Sequence, residues 1–210
     1  WALSAAASQR RLAGQEVINL TIGEPDVPTP DTLIQSACRA MAAGRTGYSN
    51  GRGETALLSA LSDRYSTKLG RRIASDRFLC LPGTQTALYL TFTALCDPGC
   101  EVILGDPMYA TYEGLIRSSG AIPVPAMLRP EHSFRLQDSD ISSKISRNTR
   151  AILLNTPHNP TGAVLGATEL DAICALAKKH DLWVISDEVY GDLTHNEAVF
   201  TSALTNPAYE

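Results

Sequence analysis

The sequence predicts an α/β domain, a mostly parallel sheet covered by helices on both faces in three layers (α/β/α), and three observations carry that expectation. The segments 151–154 (Ala-Ile-Leu-Leu) and 182–186 (Leu-Trp-Val-Ile-Ser) are apolar without alternation, which is how a strand buried on both faces reads. Between them, Leu170, Ile173, Cys174 and Ala177 recur at helical spacing, with Thr168 as a cap and Lys178 and Lys179 at the carboxyl end. Such a strand–helix–strand unit implies parallel strands and a right-handed crossover. From about residue 45 onwards strands and helices alternate, and no repeat, low-complexity tract or long charge run interrupts them.

Residues 1–44 read as an arm and lead-in segment, and 45–210 as part of the α/β domain. Within the arm, 17–22 is expected to be a short strand ending in Gly-Glu-Pro-Asp-Val-Pro-Thr-Pro, whose prolines force an extended loop. Asp31 or Thr32 then opens a helix that runs to about residue 43 and closes at Gly44. A second helix covers about 54–69, with Leu57, Leu58, Leu61 and Tyr65 forming one buried stripe. The apolar run 77–81 reads as a strand that enters Pro82-Gly83-Thr84-Gln85-Thr86, and a helix follows through Leu88, Leu90 and Leu95. A strand, a small-residue turn and a helix N-terminus make an anion site, because free amides and the helix dipole both point at the turn. It is neither a Gly-Lys-Ser/Thr phosphate loop nor a Gly-x-Gly-x-x-Gly dinucleotide turn. A strand at 101–104, a helix ending near Ser119, a strand at 122–124 and a mainly irregular 128–148 with a short helix near 138–145 lead back to the central unit.

Composition bounds the function. The chain has 210 residues with 44% hydrophobic and 19% charged residues, as a soluble globular protein has. A formal net charge of −4 provides no basic field for nucleic acid or an anionic membrane. No apolar run approaches the ~20 residues of a membrane span. The first residues lack the basic leader of a secretory signal, and because the chain opens on Trp1 rather than Met, a preceding segment is expected to be removed or not represented. Cys96 and Cys100 flank an Asp-Pro-Gly turn and admit a metal or redox reading. No second Cys or His cluster completes a metal site, however, and the odd count of five favours buried free thiols in a reducing cytoplasm.

The candidate chemistry gathers where the central strands end. Asn155, Thr156, His158, Asn159 and Thr161 follow the first strand, and Asp187, Glu188 and Tyr190 follow the second. Ligands in parallel sheets sit beyond the carboxyl ends of the strands, so Asn159, Asp187 and Tyr190 are expected to share one edge. Two carboxylates, an amide and a phenol suit a polar ligand. Equally, an Asp-Glu pair can simply cap the segment that follows.

Asn-Pro-Thr-Gly at 159–162 followed by Ser-Asp-Glu-Val-Tyr at 186–190 resembles the class I/II (fold-type I) aminotransferases, which use pyridoxal 5'-phosphate. The resemblance covers roughly 20–195 and implies the large domain of the aspartate aminotransferase-like fold, incomplete in this chain. It also implies a role for each matching residue. Asp187 would face the pyridine nitrogen and keep it protonated, so that the ring acts as an electron sink. Asn159 and Tyr190 would hydrogen-bond the phenolic oxygen, and Gly83, Thr84 and Gln85 would hold the phosphate. Tyr109 would stack on the ring, while Tyr112 is read as packing or as bonding a loop. The Gly23 amide and Asn159 would meet the substrate carboxylate, although the Gly23 loop can also be a plain connector. Tyr48, in a Tyr-x-x-x-x-Gly pattern, would reach the phosphate in a neighbouring subunit, which implies a homodimer with shared sites. Amino acids and 2-oxo acids would be the substrates, and the wording around 106–114 and 180–190 resembles transaminases of broad or basic amino-acid preference.

One departure qualifies the resemblance. The family's Schiff-base lysine lies downstream of the second motif, and the lysines here are Lys68, Lys144, Lys178 and Lys179, all upstream. No catalytic residue is therefore expected within the chain. The lysine, the substrate-gripping arginine and the small domain are expected beyond Glu210, so the chain reads as part of an enzyme that cannot complete the reaction by itself. A pyridoxal-phosphate-dependent C–S lyase on the same framework, and an aminotransferase-like sensor domain of a transcription regulator that binds the cofactor without turnover, are the alternatives.

Overall fold

The computed structural model describes residues 2–209 apart from Ile22 and Glu24, and apart from the side chain of Tyr209. It forms two compact units, Trp1–Ser49 and Asn50–Glu210. The first contains α1 (Ala2–Leu12) and α2 (Asp31–Ala42). α1 does not appear in the sequence reading, yet its alanine-rich stretch is locally helix-favouring even though it buries no residue. No strand forms over residues 17–21, which are mostly exposed and whose hydrogen bonds among the described residues are local, from Thr21 to the Asn19 side chain; Ile22 lies outside the described residues. α2 ends as its sequence requires, with Gly44 at φ +75°.

The second unit carries the sheet. It contains α3 (Thr55–Leu69), α4 (Thr84–Leu95), β1 (Glu101–Asp106), α5 (Tyr112–Ser118), β2 (Ile122–Met127), α6 (Asp138–Ser142), β3 (Thr149–Asn155), α7 (Ala167–Lys179) and β4 (Trp183–Asp187). All four strands are parallel, in the order β2-β1-β3-β4. Strand alternation distributes the core between two layers. Ile103, Ile152 and Leu154 pack with Ile141, Leu170 and Ile173 from α6 and α7. Val102, Leu104, Ala151 and Leu153 pack with Leu88, Phe92 and Ile116 from α4 and α5. Each such Val, Leu, Ile or Phe side chain, taken fully out of water, contributes roughly 1.5–3 kcal/mol. The three-layer expectation holds.

Local differences have local causes. The run 77–81 is not a strand; its backbone makes one long-range bond, from the Cys80 N–H to the Arg52 carbonyl (2.8 Å), and Leu79 is 56% exposed. An apolar run without a strand beside it has no ladder to join. β2 extends to Met127, past the 122–124 expected, despite Pro123 and Pro125. Ile122 and Leu128 donate towards β1, so the two prolines occupy the alternate positions that face the free edge, where no N–H is needed. α7 is capped at Gly166 rather than at Thr168, because the Glu169 carboxylate folds back to accept from the Gly166 N–H at 2.7 Å. A Cβ on residue 166 would lie 2.7 Å from that carboxylate oxygen, so the flexible Glu169 side chain would have to shift to admit one. The five cysteines are free, but Cys38 and Cys80 are exposed rather than buried. No helix among the described residues is long and apolar enough to cross a membrane.

The chain runs from β1 outward to β2, then returns across β1 to β3 and continues outward to β4. The reversal between β1 and β3 is a topological switch point, and the loops at the carboxyl ends of those strands diverge there.

Candidate functional site

A cleft of about 420 Å³ opens beyond those strand ends, within the range of small-molecule sites. Four segments of the second unit line it. Gly83, Thr84 and Gln85 come from the start of α4; Tyr109, Thr111 and Tyr112 follow β1. Asn155 and Asn159 follow β3, and Asp187, Val189 and Tyr190 end β4.

One wall is a helix N-terminus left open. Gly83 is the N-cap of α4 at φ +91° and ψ 153°, a combination that essentially only glycine adopts. No side chain caps the helix, since its N-cap is a glycine, and the Thr86 hydroxyl donates to the Pro82 carbonyl (3.0 Å). The amides of the first turn and the positive end of the helix dipole are thus available to an anion.

The other wall carries a buried carboxylate. Asp187 is 8% exposed, with Oδ2 accepting from the Tyr112 hydroxyl at 2.8 Å and Oδ1 from the Val189 N–H at 3.2 Å. Burial, followed by the neighbouring Asp187 charge, pushes the Tyr112 pKa well above that of an ordinary phenol, so Tyr112 stays protonated and acts as the donor. The Asp187 carbonyl accepts from Asn155 Nδ2 (3.2 Å) and from the Thr156 N–H (3.1 Å), and Asn155 Oδ1 accepts from the Asn159 N–H (2.8 Å). Asn159 Nδ2 in turn donates to the Tyr190 hydroxyl at 3.2 Å. The Asp-Glu pair divides: Glu188 accepts from the Ser186 hydroxyl and from the Ala203 N–H, a capping role, while Asp187 faces the cleft. His158 lies behind this wall, 2.7 Å from the Thr161 hydroxyl through Nδ1. Burial holds its pKa below the usual histidine value, with the Pro107 carbonyl opposing in part.

Gly83, Thr84, Gln85, Tyr109, Asn159, Asp187 and Tyr190, all singled out from sequence, line this one cleft. Gly23 and Tyr48 belong to the first unit, where both are exposed. Tyr112 and Thr111 also line the cleft and were not assigned to it from sequence, and Asn155, read there only as one of the polar residues at the strand end, joins them. A tyrosine buried at the start of a helix needs a partner for its hydroxyl, which is the signal that could have marked Tyr112. None of the four lysines lines the cleft; Lys68 pairs with Asp192 at 3.1 Å, and Lys178 donates to the Ala208 carbonyl.

An anion-binding helix start, an aromatic ring and a buried carboxylate on one cleft suit a flat heteroaromatic ligand with a phosphate arm and a protonatable ring nitrogen. The Thr111 hydroxyl oxygen, buried in the wall without a hydrogen-bond partner, leaves a polar group to be satisfied. Pyridoxal phosphate fits this donor and acceptor set. The comparisons agree with that class of site. Residues 15–208 match the family model for aminotransferase class I and II, and the chain belongs to that family. It is 39% identical over 193 residues to the arginine–pyruvate transaminase AruH of Pseudomonas aeruginosa, an alignment covering 92% of this chain and 49% of that protein. It is 33% identical to the aspartate/prephenate aminotransferase of Thermus thermophilus, over 99% of this chain and 54% of that one. Among solved structures, the Thermotoga maritima aspartate aminotransferase superposes with a TM-score of 0.92 at 34% identity, covering 97% of this chain and 54% of that chain. The chain thus spans about half the length of the curated relatives it matches.

Proposed function

We propose that the protein carrying this chain transfers an amino group between an L-amino acid and a 2-oxo acid with pyridoxal 5'-phosphate. The observation that carries the reading is the pairing, on one cleft, of the uncapped α4 N-terminus with the buried Asp187. When bound, the cofactor supplies an electron sink that acidifies the Cα–H of an attached amino acid. This chain's residues bind and orient it. Gly83, Thr84 and Gln85 present backbone amides to the phosphate, and Tyr109 offers a ring face to the pyridine. Asp187 holds the proton on the ring nitrogen. Because Tyr190 Oη accepts from Asn159, its own proton is free to be donated to the ring's phenolic oxygen. Asn159 and Gly23 would meet the substrate carboxylate, and Tyr48 would serve the neighbouring subunit of a homodimer.

The covalent lysine is assigned to sequence outside these 210 residues, since none of the four present lines the cleft. We place the protein in the cytoplasm. The amino donor is proposed to be a basic amino acid, with pyruvate as acceptor, on the strength of the arginine–pyruvate relative. Assaying the protein expressed from its complete reading frame with arginine or lysine and pyruvate, against aspartate and 2-oxoglutarate, tests this. Alanine formation is expected in the first case. Release of ammonia and thiol from a cysteine conjugate, without transfer, would make the protein a C–S lyase; cofactor binding with neither reaction would make it a sensor.

A further inference from the structure

Tyr112 enters α5 directly from the loop after β1, is 3% exposed, and touches two cleft residues at once. Its hydroxyl donates to Asp187 Oδ2 at 2.8 Å across 75 residues of sequence. Its ring meets Tyr109 edge-on, with centroids 5.5 Å apart and planes at 74°, the arrangement that aromatic quadrupoles favour. The plane of an aspartate carboxylate is otherwise weakly fixed, because its terminal torsion is broad. Here each oxygen has one donor, and the second donor, the Val189 N–H at 3.2 Å, comes from the turn that Asp187 itself starts. Among the described residues no other group donates to this carboxylate, so without Tyr112 only the local and longer bond remains.

We infer that Tyr112 is a positioning residue that sets two contacts together: the plane of the Asp187 carboxylate and the tilt of the Tyr109 ring. The inference rests on reading the cleft as the pyridoxal-phosphate site. A planar ligand gripped through its ring face and its ring nitrogen needs those two groups in register, and one buried side chain supplies the register from an element to which neither of them belongs.

The test is a double-variant cycle in the protein expressed from its complete reading frame, with pyridoxal phosphate titrated and followed by absorbance. Y112F keeps the packed ring and removes only the hydroxyl; urea unfolding verifies that it folds. Y112F is expected to weaken cofactor affinity about tenfold, the scale of a lost hydrogen bond to a charged group. In a D187A background the same substitution should change affinity by less than about twofold. At saturating cofactor, Y112F should move the visible absorption maximum in the same direction as D187A, a response that a purely packing role would not produce. Equal losses in both backgrounds, or no loss from Y112F alone, would overturn the inference and leave the cofactor site standing. A D187A protein that binds as tightly as wild type would overturn the site reading, and the inference with it.

Discussion

Replacing Gly83 with alanine isolates one physical variable. A Cβ built on Gly83 meets nothing within 4 Å, so G83A introduces no clash, and its whole cost comes from a backbone at φ +91° and ψ 153°. For a residue with a side chain that region costs on the order of 1–3 kcal/mol. The chain can pay this as lost stability or relieve it by returning φ to negative values. Relief rotates the peptide that joins residue 83 to Thr84 and turns the first α4 amide away from the cleft. Relief damages the anion wall, and the expected result is a roughly tenfold loss of pyridoxal-phosphate affinity, about 1.4 kcal/mol. Affinity for pyridoxal, which lacks the phosphate, should stay within about twofold. The assay is parallel titration of both ligands, with urea unfolding to apportion the strain; a lowered midpoint at unchanged slope reports lost stability. Equal losses for both ligands, or G83A as tight and as stable as wild type, would refute the assignment of this turn to the phosphate.

Other expectations follow from individual contacts. T156V removes a fully buried hydroxyl that accepts from the Leu165 N–H at 3.0 Å; stranding that amide should cost about 1–3 kcal/mol in urea unfolding. E188A removes the acceptor for the Ala203 N–H and should cost about 1 kcal/mol while leaving pyridoxal-phosphate affinity unchanged, since Glu188 caps and does not line the cleft. His158 is held below its ordinary value of 6.5 by burial, so below that pH the unfolded chain takes up a proton that the folded one refuses. Stability should therefore fall as pH drops from 6.5 through the folded value, and H158Q should flatten that slope when urea midpoints are compared between pH 7.5 and 5.5.

The fold was legible where burial left a one-dimensional trace. β1 and β3 read as strands because both of their faces are covered, β4 because Val184 and Ile185 pack on opposite layers, and α7 read as a helix because Leu170, Ile173, Cys174 and Ala177 form one buried stripe. The trace misleads where the partner is not local. Residues 77–81 have strand composition and no strand beside them, whereas β2 pairs fully although two prolines argue against it. α1 escaped notice because propensity rather than periodicity makes it helical, and none of its residues is buried. In the site, residues named by a contiguous motif could be placed together. The Tyr112–Asp187 bond joins two motifs 75 residues apart, and spacing along the chain carries no information about it.

The choice between Asp187 and Glu188 follows from the two-residue period of β4. Val184 packs on the α6/α7 layer and Ile185 on the α4/α5 layer, so Asp187 shares its face with Ile185. That layer contains Tyr112 and the start of α4, which is why the carboxylate of residue 187, and not that of 188, meets the phenol and the open helix end. Register fixes the rest: Asn155 pairs with Asp187 across β3 and β4, and so the Asn155 amide reaches the Asp187 carbonyl and ties the two loops into one wall. A slip of one residue in that pairing would send the aspartate to the opposite layer and leave the cleft without its carboxylate. The apolar residues that hold β3 and β4 in register therefore specify the chemistry of the site as firmly as the polar residues that line it.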